Sequence, residues 1–441
     1  MSTFIIALIL FAITYVLLFS FPKFRSYVAL GSAIVFSVWL GFLCPEVEFT
    51  LSDLIGSIDF NILMMIAGTM GIVTLFIESK MPMRIADVML SKFKNVRASI
   101  VAMAVLAGVV SAFVDNVATV LMIAPIALAV CKKQNMSPVY PIIAIAISSN
   151  LQGAATLVGD TTSILLGGYA GMNFFDFFVF QGRPGIFWAV ELGAALTVFI
   201  LLFLFRREKA PLSLTDKTEV TDYFPTVLML SVIVCLILAS FIPEPATGAL
   251  LTLYNLRNGI ICMLLLVIGI VVNLCRTKSL SSTKQVFAEM DYQTLLLLAS
   301  LFVVIQGITT AGVIDKLAEV LVKMGGSNLF LMYTIIVFAS VVISAFVDNI
   351  PYVLTMLPVV TGVAASMGVT PFVLYFGLLV GATLGGNITP IGASANITGI
   401  GILRKEGYEV RARDFMKISV PFTLTAVLSG YLFIWLFWGL L

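Results

Sequence analysis

One polar hexapeptide, SAFVDN, occurs twice within apolar sequence. SAFVDNVATVLMIAPI occupies 111–126 and SAFVDNIPYVLTMLPV occupies 344–359, identical at nine of sixteen positions at an offset of 233. The same offset, without a gap, sets LQGAATLVGDTTSI (151–164) on LGGNITPIGASANI (384–397), so that Gly153, Thr156 and Gly159 meet Gly386, Thr389 and Gly392. Asp59 and Asp291, each opening an apolar stretch, lie 232 apart. The chain therefore reads as a duplication, with halves 1–207 and 225–441 joined by the charged stretch 208–224. Both halves belong in a bilayer. Of 441 residues 60% are hydrophobic and 11% charged, with mean hydropathy +1.11, where soluble domains carry about 25% charged residues. A soluble fold has no interior large enough for that apolar surface.

Apolar stretches long enough to cross a bilayer lie near 4–21, 27–43, 60–77, 138–172, 186–206, 225–242, 257–275, 293–311, 370–404 and 418–440. The first has no basic segment before it and no small-residue cleavage site after it, so it reads as a retained span. The segments 98–131 and 328–367 are also apolar, but each carries Asp-Asn at its centre and reads as a re-entrant hairpin. Charge supports this. With the N-terminus outside and both segments returning to their side of entry, 21 of the 25 Lys and Arg fall inside, and only Arg183, Arg257, Lys316 and Lys323 fall outside. Each half then has five spans and one hairpin. An odd number of spans inverts the second half, and both termini come to lie outside. The expected fold is an all-α polytopic membrane protein with an inverted repeat and two broken helices. Interrupted helices in inverted repeats mark secondary transporters.

Three carboxylates lie well within apolar sequence, Asp115, Asp160 and Asp348, and no Lys or Arg accompanies them. An acid at that depth costs about 2.5–3.5 kcal/mol on insertion scales and by default has a function. The alternative is a helix cap, and Asp115-Asn116 and Asp348-Asn349 are placed to cap the returning arms. Asp160 has no counterpart, its mate being Ala393. Pro125 and Pro358 sit in the returning arms, where kinks are expected. The segments 148–163 and 381–396 are rich in Gly, Ser, Thr and Asn. Half-helices beginning near Asp160 and Ala393 would turn N-termini toward anions, while unwound carbonyls favour cations. Single hydroxyls there, such as Ser148 or Thr162, serve equally well as helix–helix ties. The amphipathic pieces 80–95 and 312–325 read as interfacial arms leading into each hairpin.

Several chemistries are excluded. With no histidine, Ser-His-Asp triads, His-ligated zinc and His proton relays drop out. Cys44, Cys131, Cys235, Cys262 and Cys275 form no paired motif. A net charge of +2 argues against a nucleic-acid partner.

These blocks resemble the ion-transporter superfamily, in particular its branch of arsenite permeases, NhaD antiporters and melanosomal P proteins, related to citrate and sodium/dicarboxylate transporters. The two SAFVDN segments look like that branch's paired SAFLDN hairpins. SNLQGAATLVGDTTSIL looks like its SNIGGTATLIGDPPNIL, and LGGNITPIGASANI like its LGGNGTLIGASANV. The resemblance spans both halves. It implies a homodimer of elevator-type protomers with a scaffold near 1–43 and 225–275 and a moving part near 98–206 and 328–441. It also implies that Asn116, Thr119, Asn150 and Gly153, with Asn349, Asn387, Thr389 and Ser394, surround substrate and coupling ion. Thr156, Asp160, Thr161, Ser163, Asp348 and Asn396 join them from the motif blocks, with Na⁺ expected at Asp115, Asn116, Asp348 and Asn349. Two departures matter: Thr161-Thr162-Ser163 replace Pro-Pro-Asn, and the hairpin tips carry Asp where the dicarboxylate symporters carry Ser.

The expected activity is ion-coupled secondary transport in a bacterial cytoplasmic membrane. It needs no cofactor beyond H⁺ or Na⁺ as coupling ion. Two nearby acids without a site cation oppose a polycarboxylate. They favour Na⁺ or an arsenite-like neutral hydroxide exchanged against protons or sodium. The alternative is a sodium-coupled citrate or dicarboxylate carrier. An intramembrane aspartyl protease would need a Gly-x-Gly-Asp context, and Asp160 stands in Leu-Val-Gly-Asp. A channel would conduct without a coupling gradient.

Overall fold

The structure is a computed structural model that describes residues 3–44, 49–93, 95–208, 210–211, 218–220, 222–278 and 280–440. Of the expected linker, 209, 212–217 and 221 lie outside the described residues. Among the described residues the secondary structure is helical apart from a two-stranded turn pairing Val179–Phe180 with Arg183–Pro184 and a single antiparallel bridge between Asn95 and Pro211.

The first half contributes Thr3–Ser20, Arg25–Val38, Phe60–Glu78 and the short Met81–Leu90. A hairpin of Val96–Ser111 and Asn116–Lys133 follows, then the broken helix Val139–Gly153/Thr161–Ala170, then Ile186–Leu204. The second half repeats the order. Phe224–Ala239, Arg257–Thr277, Tyr292–Thr310 and Val313–Gly325 lead to the hairpin Leu329–Ser344/Asn349–Met367. The broken helix Phe372–Leu384/Ser394–Lys405 and Ala412–Ile434 complete it. Matching start signals set the elements. Asp59 and Asp291 accept from the amides of Ile62 and Thr294, each at 3.0 Å. Asn95 and Asn328, also repeat mates, cap the first hairpin arms through Ala98 N (2.8 Å) and Leu331 N (3.1 Å). Pro125 and Pro358 lie inside continuous helices.

Among the described residues nine helices are long and apolar enough to cross a bilayer, and the returning arm of each hairpin is one of them. Length alone therefore does not separate spans from hairpins; chain reversal does. Thr156 reaches the carbonyl of Ala112 at the first tip, and Thr389 reaches that of Ala345 at the second. Each tip thus lies at the level of a helix break, where its first arm ends and its second turns back. Both arms of each hairpin flank the N-terminal segment of the broken helix in their own half. Val313–Gly325 bends by 116° from Leu329–Ser344, as an interfacial arm must.

The halves interlock reciprocally. Phe60–Glu78 packs along Arg257–Thr277, and its mate Tyr292–Thr310 packs along Arg25–Val38. Ile186–Leu204 meets its own mate Ala412–Ile434. One cavity takes Asp291 from the start of Tyr292–Thr310 and Ile77 from the end of Phe60–Glu78; another takes Asp59 and Thr309 from their opposite ends. The two mates therefore run antiparallel, which is the inversion expected from the odd span count.

Candidate substrate site

Why the chain breaks where it does follows from close approach. A Cβ on Gly159 would lie 2.6 Å from the carbonyl oxygen of Gly153 and 2.8 Å from those of Ser111 and Ala112. On Gly392 it would lie 2.5 Å from that of Gly386 and 2.8 Å from those of Ser344 and Ala345. Only glycine lets the unwound strand pass this close beneath the hairpin tip. Beyond each break a new helix starts, Thr161–Ala170 behind Asp160 and Ser394–Lys405 behind Ala393.

Four helix N-termini converge as a result. Asn116, Thr161, Asn349 and Ser394, the first residues of the two returning arms and the two half-helices, all line one cavity of about 490 Å³. Asp115 Oδ1 caps the first returning arm, accepting from Val117 N (2.9 Å) and Ala118 N (3.1 Å). Its Oδ2 has no hydrogen-bond partner among the described residues. Asp348 caps the second arm through Ile350 N (3.1 Å) and lies 3.5 Å from the Ser394 hydroxyl. Asp160 is buried and accepts from the Thr162 hydroxyl at 3.1 Å. Asn116 donates to Asn150 Oδ1 (3.0 Å), and Asn150 donates onward to the carbonyl of Thr383 (2.7 Å). Asn150 thereby ties the first break to its mate.

Eight of the expected site residues share this cavity: Asp115, Asn116, Asn150, Asp160, Thr161, Asp348, Asn349 and Ser394. The other seven lie behind it. The hydroxyls of Thr156 and Thr389 hold the hairpin tips. Asn396 donates to the carbonyls of Gly386 and Thr389, each at 3.1 Å, and Asn387 to that of Ile147 at 3.0 Å. The Ser163 hydroxyl bonds the carbonyl of Gly153 at 3.3 Å. Thr119 is fully buried, its hydroxyl without a partner among the described residues.

The expectation of a site without a basic residue is corrected. Arg25 lines the cavity and pairs with Asp348 through Nη1 and Oδ2, both side chains largely shielded. In the sequence Arg25 counted as a loop charge, yet it opens the helix Arg25–Val38 and so projects from a helix end onto the tip. A signal existed: Arg257 opens the mate helix at an offset of 232, the same spacing as Asp59 and Asp291. Glu289 and Asp291 also line the cavity. Five carboxylates therefore face one guanidinium, relieved by four helix ends of roughly half a positive charge each.

Two interlocked inverted repeats, with paired hairpins and broken helices around a polar cavity, define the class: a membrane transporter. A family model described as "Citrate transporter" matches residues 6–381, and the chain belongs to that family. An uncharacterized transporter of Mycobacterium tuberculosis is 32% identical over 329 residues, 74% of each chain. The human P protein is 25% identical over 451 residues, covering 86% of this chain and 54% of its own. Among solved structures, the Alcanivorax borkumensis YdaH transporter, described as having an unusual topology, aligns over 94% of this chain and 97% of its own, with TM-score 0.58 and 15% identity. The Neisseria gonorrhoeae MtrF structure, described within a class of antimetabolite efflux pumps, aligns over 87% and 82% with TM-score 0.54 and 12% identity. At such identities these two speak to the fold.

Proposed function

We propose that this protein is an ion-coupled secondary transporter that exchanges a cation, or a small neutral hydroxide, against H⁺ or Na⁺. The acidity of the cavity carries the reading. Asp115, Asp160, Asp348, Glu289 and Asp291 face a single Arg25, which Asp348 already engages. A polycarboxylate would add charges of the same sign to this set. Asp115, with one oxygen unpartnered, binds the coupling ion, and Asp160 beside it adjusts the local charge. Since the chain has no histidine, protons crossing the site ride on these carboxylates.

A second reading has its own support. Four helix N-termini and Arg25 together could hold an anion if Na⁺ entered with it, and the family description names citrate. In proteoliposomes under imposed Na⁺ and pH gradients, the first reading expects Na⁺/H⁺ exchange or arsenite flux. Dicarboxylate flux requiring Na⁺, with neither of those activities, overturns it in favour of the second.

The same reading makes the protein a homodimer in a bacterial cytoplasmic membrane, with both termini outside. Residues 98–206 and 328–441 carry the site as a moving unit, against a scaffold of 1–43 and 225–275. Hydrogen bonds across the halves support one moving unit: Asn150 to Thr383, Thr162 to Thr383 at 2.9 Å between hydroxyls, and Asn387 to Ile147. Packing extends the scaffold to Phe60–Glu78 and Tyr292–Thr310.

A further inference from the structure

A second cavity of about 700 Å³ lies at the other end of the same long helices. Its scaffold wall repeats that of the first. Val73, Thr74 and Ile77 line the first cavity, and their mates Ile305, Gln306 and Thr309, each 232 residues later, line the second. Asp291 and Arg25 belong to the first, and their mates Asp59 and Arg257 to the second. What differs is the wall opposite. The hairpin tips with Asp115 and Asp348 stand at the first cavity, whereas the second has no tip residue in its lining. Leu121, on the first returning arm, lines the first cavity and is 52% exposed. Its mate Leu354 lines the second and is 3% exposed.

The ion pairs share this asymmetry. Arg25 is paired with Asp348, while among the described residues Arg257 has no carboxylate within ion-pair distance. Its guanidinium bonds the carbonyl of Tyr254 (2.7 Å) and Asn173 Oδ1, stacks on the Tyr254 ring at 3.7 Å, and keeps a buried Nε–H without a partner. Asp115, the mate of Asp348, likewise has no cation paired with it among the described residues. Each repeat thus contributes one Arg and one Asp to this set, and of the two Arg–Asp pairs that could cross the repeats only Arg25–Asp348 is made in the state seen.

We propose that Arg257 is the partner of Asp115 in the opposite-facing state, so that the Arg25–Asp348 pair breaks as the Arg257–Asp115 pair forms. Two inverted repeats with the same scaffold contacts have a second arrangement in which their roles exchange. The exchange of partners leaves one Asp–Arg pair in each state, so the two ends of the movement carry the same number of ion pairs. Arg257 is then a positioning residue that sets the balance between states, and the inference rests on the alternating transport proposed above.

The test uses full-length protein in proteoliposomes with the five native cysteines replaced by Ala. It carries Leu121→Cys or Leu354→Cys as a single reporter for a membrane-impermeant maleimide. In the parent, both reporters are expected to react, each from its own side. Arg25→Gln should slow labelling at 121 and speed it at 354, and Arg257→Gln should do the reverse, each by roughly fivefold, the scale of losing one partly shielded ion pair. Asp115→Asn should reproduce the direction of Arg257→Gln, which a merely structural arginine would not do. If both reporters respond but the two Arg variants shift labelling in the same direction, or not at all, the exchange of partners is overturned while alternating transport stands. If Leu354→Cys never reacts in the parent, the movement itself fails and the inference falls with it.

Discussion

The two helix breaks share one construction and differ in the chemistry they present. In each, a threonine of the unwound strand bonds a tip carbonyl: Thr156 to Ala112, and Thr389 to Ala345. In each, a glycine passes beneath three carbonyl oxygens. Toward the cavity both tips keep Asp-Asn, but the breaks beside them differ. Asp160 is opposed by Ala393 and Asn150 by Thr383, while behind the lining Thr119 is opposed by Tyr352. Ser344 donates to the carbonyl of Ala382 at 2.6 Å, while its mate Ser111 is buried without a partner among the described residues. The threonine and glycine that hold each break open are thus shared between halves, as are the Asp-Asn pairs of the tips, while Asp160 and Asn150 in the lining are not. A symmetric frame lets the halves exchange roles; an asymmetric lining lets them bind different things.

The shared frame should fail equally on both sides. Gly159→Ala and Gly392→Ala each drive a methyl group into backbone oxygens at 2.5–2.8 Å, which cannot move without lifting the hairpin tip. Overpacking of this kind costs about 1–3 kcal/mol or more. Both variants should lose most of the monodisperse protein recovered in detergent. A well-folded Gly392→Ala beside an unfolded Gly159→Ala would break the equivalence of the two frames.

The linings should fail unequally. Asp115→Asn and Asp348→Asn should each abolish coupled flux, yet differ in stability. Asparagine caps a helix about as well as aspartate, so Asp115→Asn should keep the parental melting temperature. Asp348→Asn keeps its cap but takes from Arg25 its paired carboxylate, a loss between the roughly 0–1 kcal/mol of an exposed pair and the roughly 3–5 kcal/mol of a buried one, and should melt lower. Wild-type transport by either variant would remove that residue from coupling. Equal melting temperatures would mean that the Arg25 pair carries no net stability.

Asp160→Ala gives the first break the residue of the second and should reduce flux by about tenfold or more, as expected for a functional acid at depth. Ser394→Ala, which removes a hydroxyl 3.5 Å from Asp348, should cost only a few-fold. Vesicle uptake of the same solute under one gradient compares them, and the reverse order would place the working half of the site on the second break.

Much of this comparison was legible in the sequence, and the exceptions have physical causes. The repeat, the hairpins and the breaks could be read because Asp-Asn and Gly-rich runs stand out against apolar sequence, where each polar group needs a reason. Arg25 could not be placed because a charge beside Pro22 reads as loop; whether it snorkels to water or folds onto a tip is decided by tertiary packing. Asn387, Asn396, Thr156 and Thr389 share a residue class with the cavity-lining Asn150 and Thr161. A small polar side chain that satisfies an unwound carbonyl and one that meets a solute are written with the same letters.

That ambiguity sets the smallest predicted effect. Thr156→Val and Thr389→Val preserve shape and delete one hydroxyl each, leaving a buried tip carbonyl short of a donor. A buried group left unsatisfied costs about 1–3 kcal/mol, and the tips retain their caps at Asp115 and Asp348. Both variants should therefore fold, melt lower by similar amounts, and retain flux with an unchanged apparent affinity for the solute, because neither hydroxyl lines the cavity. If one of them weakened apparent affinity without lowering the melting temperature, its threonine would belong to the lining after all, and the division between a symmetric frame and an asymmetric site would have to be redrawn on that side.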